Sequence, residues 1–326
     1  SFTIFLMTFE IFRAIGILLV AYSDLSLGLM FAMFGYIWFI MTPVQDILTI
    51  QYSYASANAA INRINKILDL KKETNGLLEL DSKAKKIDIK VENLNFSYNQ
   101  NKQILKNISF DIKSGEKVAI IGASGSGKTT IANIISGFYA KDSGNIFYNN
   151  ISIDELNKQS LRENIFLVLQ MPILFNNTLK FNITMGNENI SDVEIFEALK
   201  IAQLYDTVID MPNGLDTIVG KHGIRLSGGQ RQRLSIARMI IANPSVVIFD
   251  ESTSALDVHT EVKLFSELEE FLKEKTVITI AHRLSTVKNA DMIYVIDDGK
   301  VVQSGNHKEL EEKEGHYLEF IKKQLI

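Results

Sequence analysis

The 326-residue chain contains no cysteine, which excludes a disulfide framework and any thiolate metal site. A basic excess is missing too. Lys and Arg total 34 against 38 Asp and Glu, the net charge is −4, and there is no basic tail, which argues against nucleic acid as a partner. Charge is also absent locally: residues 25–45, between Asp24 and Asp46, carry none. That run meets the roughly 20 residues needed to cross a bilayer. Ser1 to Tyr22 is similarly apolar apart from Glu10 and Arg13. These two segments explain a mean hydropathy of +0.08, high for a soluble protein. The length allows about two domains.

A lone apolar helix can be a buried core element or a signal peptide. Here two long segments stand in tandem, and no small-residue cleavage pattern follows a basic start, which disfavours a cleaved signal. With the short turn Tyr22-Ser23-Asp24-Leu25-Ser26 between them, they are expected to form a transmembrane hairpin. The turn carries Asp24 and no base, whereas Arg63, Lys66, Lys71 and Lys72 follow the second segment. By the positive-inside rule the turn faces out and the remainder of the chain lies on the cytoplasmic side of a cell membrane. Glu10 and Arg13, three residues apart, can pair with each other on one helix face. No strong breaker occurs between Pro43 and Gly76. A helix from Leu25 to Leu68 would reach roughly 66 Å, of which only about 30 Å lies in hydrocarbon. The rest would project as a stalk. The expected organisation is therefore a partial membrane domain over 1–68, a linker over 69–86 and a soluble domain over 87–326.

From Ile87 the period changes to two. Ile87, Ile89 and Val91 alternate with Asp88, Lys90 and Glu92, and Ile108, Phe110 and Ile112 repeat the pattern, as half-buried strands do. The runs Lys117–Ile121, Ser245–Phe249 and Thr276–Ala281 are continuously apolar or nearly so, as in strands buried on both faces of a parallel sheet. Met292–Ile296, Asp298-Gly299 and Lys300–Gln303 predict a hairpin with a two-residue turn. Helical stretches separate the parallel strands, so the class is α/β.

Gly122-Ala123-Ser124-Gly125-Ser126-Gly127-Lys128-Thr129 follows the first buried run and matches the P-loop pattern. Its glycines let backbone N–H groups wrap a phosphate at a helix N-terminus. In such a loop Lys128 reaches the β- and γ-phosphates and the Thr129 hydroxyl serves Mg²⁺. Asp250 and Glu251 end the run 246–249, where the first carboxylate can hold Mg²⁺ and the second can deprotonate or orient a water. Leu226-Ser227-Gly228-Gly229-Gln230 opens a helix containing Arg231, Arg233 and Arg238, a second phosphate-type helix terminus. One nucleotide does not need two such termini from a single chain, so the second is expected to serve a nucleotide held by another copy.

In this order the motifs resemble those of ABC transporter subunits of the exporter type, in which a membrane region precedes the ATPase. The match runs through the P-loop 122–129, Gln170, the signature 226–230, Asp250-Glu251, Ser254-Ala255-Leu256-Asp257 and Ile280-Ala281-His282-Arg283. The resemblance implies a P-loop NTPase fold with a helical subdomain and an antiparallel β subdomain, behind an all-α membrane hairpin and stalk. It implies an ATPase that takes ATP and Mg²⁺ and works as a head-to-tail dimer, each ATP lying between one P-loop and the partner's signature. On it, Tyr98 stacks on adenine and Gly122, Ser124, Gly125, Ser126, Gly127, Lys128, Thr129 and Thr130 hold the phosphates. Ser227, Gly228, Gly229, Gln230 and Asp257 serve the nucleotide across the dimer. Glu251 becomes the catalytic carboxylate, His282 the γ-phosphate sensor, and Gln170 a contact to Mg²⁺ and the attacking water; Thr129, Gln170 and Asp250 form the metal set.

Two departures from the family pattern stand out. Thr217-Ile218-Val219-Gly220-Lys221-His222-Gly223 has Lys221 where the family has an acid, in a loop that faces the partner's membrane loops. Family subunits also carry six membrane helices, and this chain matches the last two. The reading coming out of the sequence is an ATP-hydrolysing exporter subunit in a bilayer, paired with an identical second chain in preference to a different one, and moving a substrate that the motifs leave open. The alternatives are a stand-alone ABC ATPase of the repair or translation type and a membrane-bound nucleotide-binding fragment without coupled work. Two helices per chain cannot enclose a transport pathway, so the coding sequence is expected to continue upstream of Ser1 for about 200–250 residues, enough for four more spans with their cytoplasmic extensions.

Overall fold

The computed structural model describes residues 2–70, 72–81, 86–99, 102–250, 258–281 and 283–324. Two compact units divide the chain, Ser1–Glu73 and Thr74–Ile326.

The first unit is a helical hairpin of α1 (Phe2–Tyr22) and α2 (Leu27–Leu68). Ser26 starts α2, its side chain accepting a hydrogen bond from the Leu29 N–H at 3.3 Å. Such a cap satisfies one of the donors that a helix start leaves free. The pairing is aromatic. Phe5, Phe9 and Phe12 recur along α1 at helical spacing and meet Phe34 and Trp38 of α2 edge-on, with ring centroids 5.6 to 5.9 Å apart. Gly16 leaves room for this contact, because a Cβ there would lie 3.1 Å from the Phe34 ring. Glu10 and Arg13 form the expected ion pair, at 2.5 Å and half exposed. Ile4, Met7, Ile11, Phe31 and Phe39 point outward. Both helices are long and apolar enough to cross a membrane. Helix α2 passes through Pro43 without ending, and its 42 residues span about 63 Å.

In the second unit, β1 (Ile89–Asn99) and β2 (Lys102–Ile112) form an antiparallel pair. Strand β3 (Lys117–Gly122) leads into α3 (Lys128–Ile135), after which β4 (Ser143–Tyr148) and β5 (Ile151–Ser152) return to that pair. The result is a four-stranded sheet in the order β2-β1-β4-β5. Helix α4 (Lys158–Asn164) runs into β6 (Ile165–Val168). Next come β7 (Asn177–Thr178), the helices α5 (Leu179–Thr184), α6 (Asp192–Ile201) and α7 (Tyr205–Ile209), and β8 (Ile218–Val219), which pairs with β7. Helix α8 (Gly228–Ala242), β9 (Val246–Asp250), α9 (Val258–Leu272), β10 (Thr276–Ile280), α10 (Leu284–Lys288), β11 (Met292–Asp297) and β12 (Lys300–Gly305) follow, then α11 (His307–Glu311) and α12 (His316–Gln324).

The second sheet has the order β12-β11-β3-β10-β9-β6, parallel throughout except for β12. The runs read as doubly buried strands are its centre: Val118–Ile121 and Val246–Phe249 are buried throughout. The tip of the β11–β12 hairpin has φ above zero at both Asp298 and Gly299, as a two-residue turn of this kind requires. Lys106 draws the Asp298 carboxyl below its ordinary pKa through a hydrogen bond and its charge. One core cluster lies between the two sheets and around α3; another fills α5, α6, α8 and the far face of β9.

Part of the stretch read as a linker packs on this unit. Gly76 N–H donates to the Leu156 carbonyl at 3.1 Å, Leu78 N–H to Glu155 at 3.0 Å, and Leu80 N–H to Ser160 Oγ at 2.9 Å. Leu80 is in the core at 3% exposure. The surrounding charges masked two leucines spaced for an edge strand. Leu80→Ala should therefore cost about 2–4 kcal/mol, the range for emptying a buried leucine site, measured by urea unfolding. A free linker would show a change near zero.

Candidate functional site

The sheet register assembles the site. Strand β3 neighbours β10, β10 neighbours β9, and β9 neighbours β6, all parallel. Each ends at a sequence-predicted residue: β3 at Gly122, β9 at Asp250, β6 two residues before Gln170, and β10 two residues before His282. The carboxyl ends of parallel strands are where open α/β sheets bind ligands. Glu251, Asp257 and His282 lie outside the described residues.

The P-loop is shaped by its glycines. Gly122 has φ +153°, and a Cβ there would sit 2.0 Å from the Ile296 carbonyl oxygen. Gly127 caps α3 in a left-handed conformation with φ +105°, tight against Leu105. Ser124, Gly125 and Thr129 are exposed, while Ser126, Gly127, Lys128 and Thr130 are buried. Lys128 folds back over the loop, donating from Nζ to the Gly122 carbonyl at 3.0 Å and the Ala123 carbonyl at 2.8 Å. Tyr148, whose phenol is pushed above its ordinary pKa by burial, donates to the Ile135 carbonyl and holds the other end of α3.

Two observations test whether these residues suit a magnesium-bound phosphate. The Thr129 hydroxyl donates to Asp250 Oδ1 at 3.1 Å, so two hard oxygen donors, one from the start of α3 and one from the end of β9, meet at one point, the kind that Mg²⁺ takes. Ser126 Oγ is buried with no hydrogen-bond partner among the described residues, and a phosphate oxygen would satisfy it. The residues fit.

Tyr98 is half exposed and anchored from behind. Its hydroxyl shares a 3.0 Å hydrogen bond with Thr130 Oγ1, and its ring meets Phe96 and Tyr139 at 5.0 and 5.4 Å. The sequence reading missed Tyr139, because it follows α3 in a loop and carries no periodicity that links it to Tyr98.

The signature stands elsewhere. Ser227 is the N-cap of α8 and forms a capping box with Gln230: the Gln230 N–H donates to Ser227 Oγ at 3.2 Å and the Ser227 N–H to Gln230 Oε1 at 2.8 Å. Ser227 is exposed; Gly228, Gly229 and Gln230 are partly so. Helix α8 also holds the Gln170 segment. Gln232 Nε2 donates to the Gln170 carbonyl at 3.2 Å, and Arg238 donates to the carbonyls of Ile173 and Asn182 and to Asn182 Oδ1. Burial draws the Arg238 pKa down. Gln170 is itself exposed. Asn182 is the second residue that the sequence reading missed: fully buried, it bonds both the N–H and the carbonyl of Phe175.

Residues 105–254, which carry the P-loop, the signature and Asp250, match the ABC transporter family model. The chain belongs to the ABC transporter family. It is 40% identical over 304 residues to the ATP-dependent lipid A-core flippase of Saccharophagus degradans, covering 93% of this chain and 51% of the flippase. It is 42% identical over 237 residues to heavy metal tolerance factor 1 of Caenorhabditis elegans, covering 73% of this chain and 30% of that protein. A solved bacterial Atm1-family ABC exporter with ATP bound superimposes with a TM-score of 0.79 at 32% identity, covering 93% of this chain and 54% of the exporter. The chain thus spans about half the length of the curated flippases it matches. The ABC ATPase fold, with its antiparallel and mixed sheets behind N-terminal helices, is the fold expected from the motifs.

Asn182→Ala should destabilise the second unit by about 2–4 kcal/mol, because both Phe175 backbone groups lose their partner while the partly buried Arg238 guanidinium loses its bond to Asn182 Oδ1. Hydrogen exchange should rise at Phe175 before it rises in β9. Protection unchanged at Phe175 would mean that Asn182 does not hold this segment.

Proposed function

We propose that this ABC transporter chain is the ATP-hydrolysing part of an exporter subunit, working in a membrane as half of a dimer. The observation that carries the proposal is the separation of two phosphate-type helix starts within one ATPase unit. The P-loop helix α3 packs in the cluster between the sheets, through Ile131, Ile134 and Ile135. The signature helix α8 packs in the other cluster, through Leu234, Ile236 and Met239, and starts from exposed Ser227. A second chain, placed head to tail, gives that exposed end a nucleotide to meet. An identical chain suffices, since the P-loop and the signature are both present. The names of the flippase relatives and of the ATP-bound exporter support export as the work performed.

In this mechanism Tyr98 supports the adenine ring, and Ser126, Lys128 and the loop N–H groups hold the phosphates. Thr129, Asp250 and Gln170 would hold Mg²⁺, which when bound neutralises phosphate charge and aligns the oxygens. Glu251 accepts the proton of the attacking water, and His282 contacts the γ-phosphate. The partner's Ser227, Gly228 and Gly229 close the site from the other side, and Asp257 links the two halves. Gln170 and the neighbouring Thr217–Gly223 loop relay the state of the site towards the membrane part. That loop is braced on the Gln170 side, since the His222 N–H donates to Asn176 Oδ1 at 2.9 Å, and Lys221 in it is exposed. Helices α1 and α2 cross the bilayer, with Arg63 and Lys66 on the cytoplasmic stalk.

Glu251→Gln should leave ATP binding intact and slow hydrolysis by about 10²–10⁴-fold, the usual contribution of a placed general base. Turnover equal to that of the unaltered chain, measured by phosphate release in lipid, would remove Glu251 from the mechanism. Lys128→Ala should lose Mg-ATP binding, and Ser227→Arg should lose hydrolysis while its own P-loop still binds ATP. Mixed in one dimer, the two should recover about one working site of two. A mixed dimer that forms and stays inactive would rule out the shared arrangement.

A further inference from the structure

Three charged residues are buried to 6% exposure or less among the described residues: Lys128, Asp250 and Glu261. The first two belong to the phosphate site. Glu261 does not. It lies in the first turn of α9, four residues beyond Asp257, and its carboxylate pairs with the Arg283 guanidinium. Arg283 is the N-cap residue of α10 and follows His282 directly in the chain. A carboxylate this far from water is unfavourable unless paired, so its burial depends on Arg283 staying in place.

The strand register shows what the pair ties together. Asp250 of β9 stands opposite Ile280 of β10. From these adjacent ends one segment, 251–257, leads into α9, and another, 281–283, leads into α10. The Glu261–Arg283 pair joins the starts of the two helices and so closes a ring of covalent chain and sheet hydrogen bonds. Glu261, Phe265, Arg283 and Thr286 line a cavity of about 670 Å³, whose other walls include Val118, Phe249 and Val277 from the sheet. Leu264 of α9 and Val287 of α10 pack in different core clusters, so the ion pair is a direct polar tie between the two helix starts.

We infer that Glu261 and Arg283 are positioning residues for ATP hydrolysis: their ion pair ties the start of α9, which follows Glu251 and Asp257 in the chain, to the start of α10, which follows His282. The inference rests on the roles proposed above for those residues. It distinguishes turnover from binding, because the P-loop follows β3 and Tyr98 sits in β1 of the other sheet.

The experiment compares E261Q, the apolar double variant E261L/R283M and E251Q in the purified full chain in lipid. It reads kcat and KM for ATP, ATP binding and thermal unfolding. E261Q keeps the shape and removes the charge. Its kcat should fall by about 10- to 100-fold, the scale of a small misplacement of reacting groups, with KM and ATP affinity within about threefold. The double variant refills the space without a buried charge, so its melting temperature should equal or exceed that of E261Q while kcat stays low. Restored turnover in the folded double variant would overturn the inference, as would parallel losses of affinity and kcat in E261Q. If the double variant fails to fold, the split between kcat and KM in E261Q decides. Normal turnover in E251Q would sink the proposed role of Glu251 and this inference with it. Lost turnover in E251Q beside normal turnover in E261Q would sink this inference alone.

Discussion

The parallel register of β3, β10, β9 and β6 is the constraint on which the rest of the ATPase unit depends. These strands are apolar on both faces, so each is held between core clusters and not at a surface: β6, β9 and β10 share one pair of clusters, while Ala119 and Ile121 of β3 face a third that includes Val287 and Tyr317. Strand ends are then fixed side by side, and every excursion of the chain from those ends begins along one edge. Thr129 opens the helix that follows β3 and Asp250 ends β9, and these two strands are separated by β10 alone, about 10 Å across two strand spacings. Their hydrogen bond closes that gap. A slip of one residue in β9 would turn Val247 and Phe249 towards the wrong cluster, so the register is strongly specified.

The second constraint is polar. Gln170 leaves the edge strand β6, yet its carbonyl is bonded to Gln232 of the signature helix, and the following residues are bonded to Asn182 and Arg238. A shift of α8 must move the Gln170 backbone or break that bond. The proposed water-contacting residue is thus mechanically part of the group that presents the signature, although sixty residues of sequence separate them. Buried amide and guanidinium groups are suited to this, since each missing bond in such a place leaves an unpaired donor or acceptor.

The helical hairpin shows a different balance. Its two helices meet through five aromatic rings, with Met30 packed over Gly16, and many of the large side chains around them face outward. In water this surface would be a liability. In a bilayer the hydrocarbon replaces the water, and edge-to-face contacts between rings remain as the attraction that is specific to the pair.

The sequence alone determined the ATPase identity, because the P-loop, the signature and Asp250-Glu251 are contiguous runs whose chemistry needs adjacent residues. It determined the central strands as well, since burial on both faces demands unbroken apolar runs. The two long apolar helices were legible for the same reason: a length free of charge that could cross hydrocarbon is a continuous run. Residues that act across the fold were not legible. Leu80 hid among charges because only its docking on α4 makes it core, and Asn182 looked like one polar residue in a polar stretch. Tyr139 and the Glu261–Arg283 pair depend on side chains far apart in sequence, with no periodicity to join them. Such contacts are set by which strand ends lie beside which, and sheet order is a property of the folded chain and not of any segment within it.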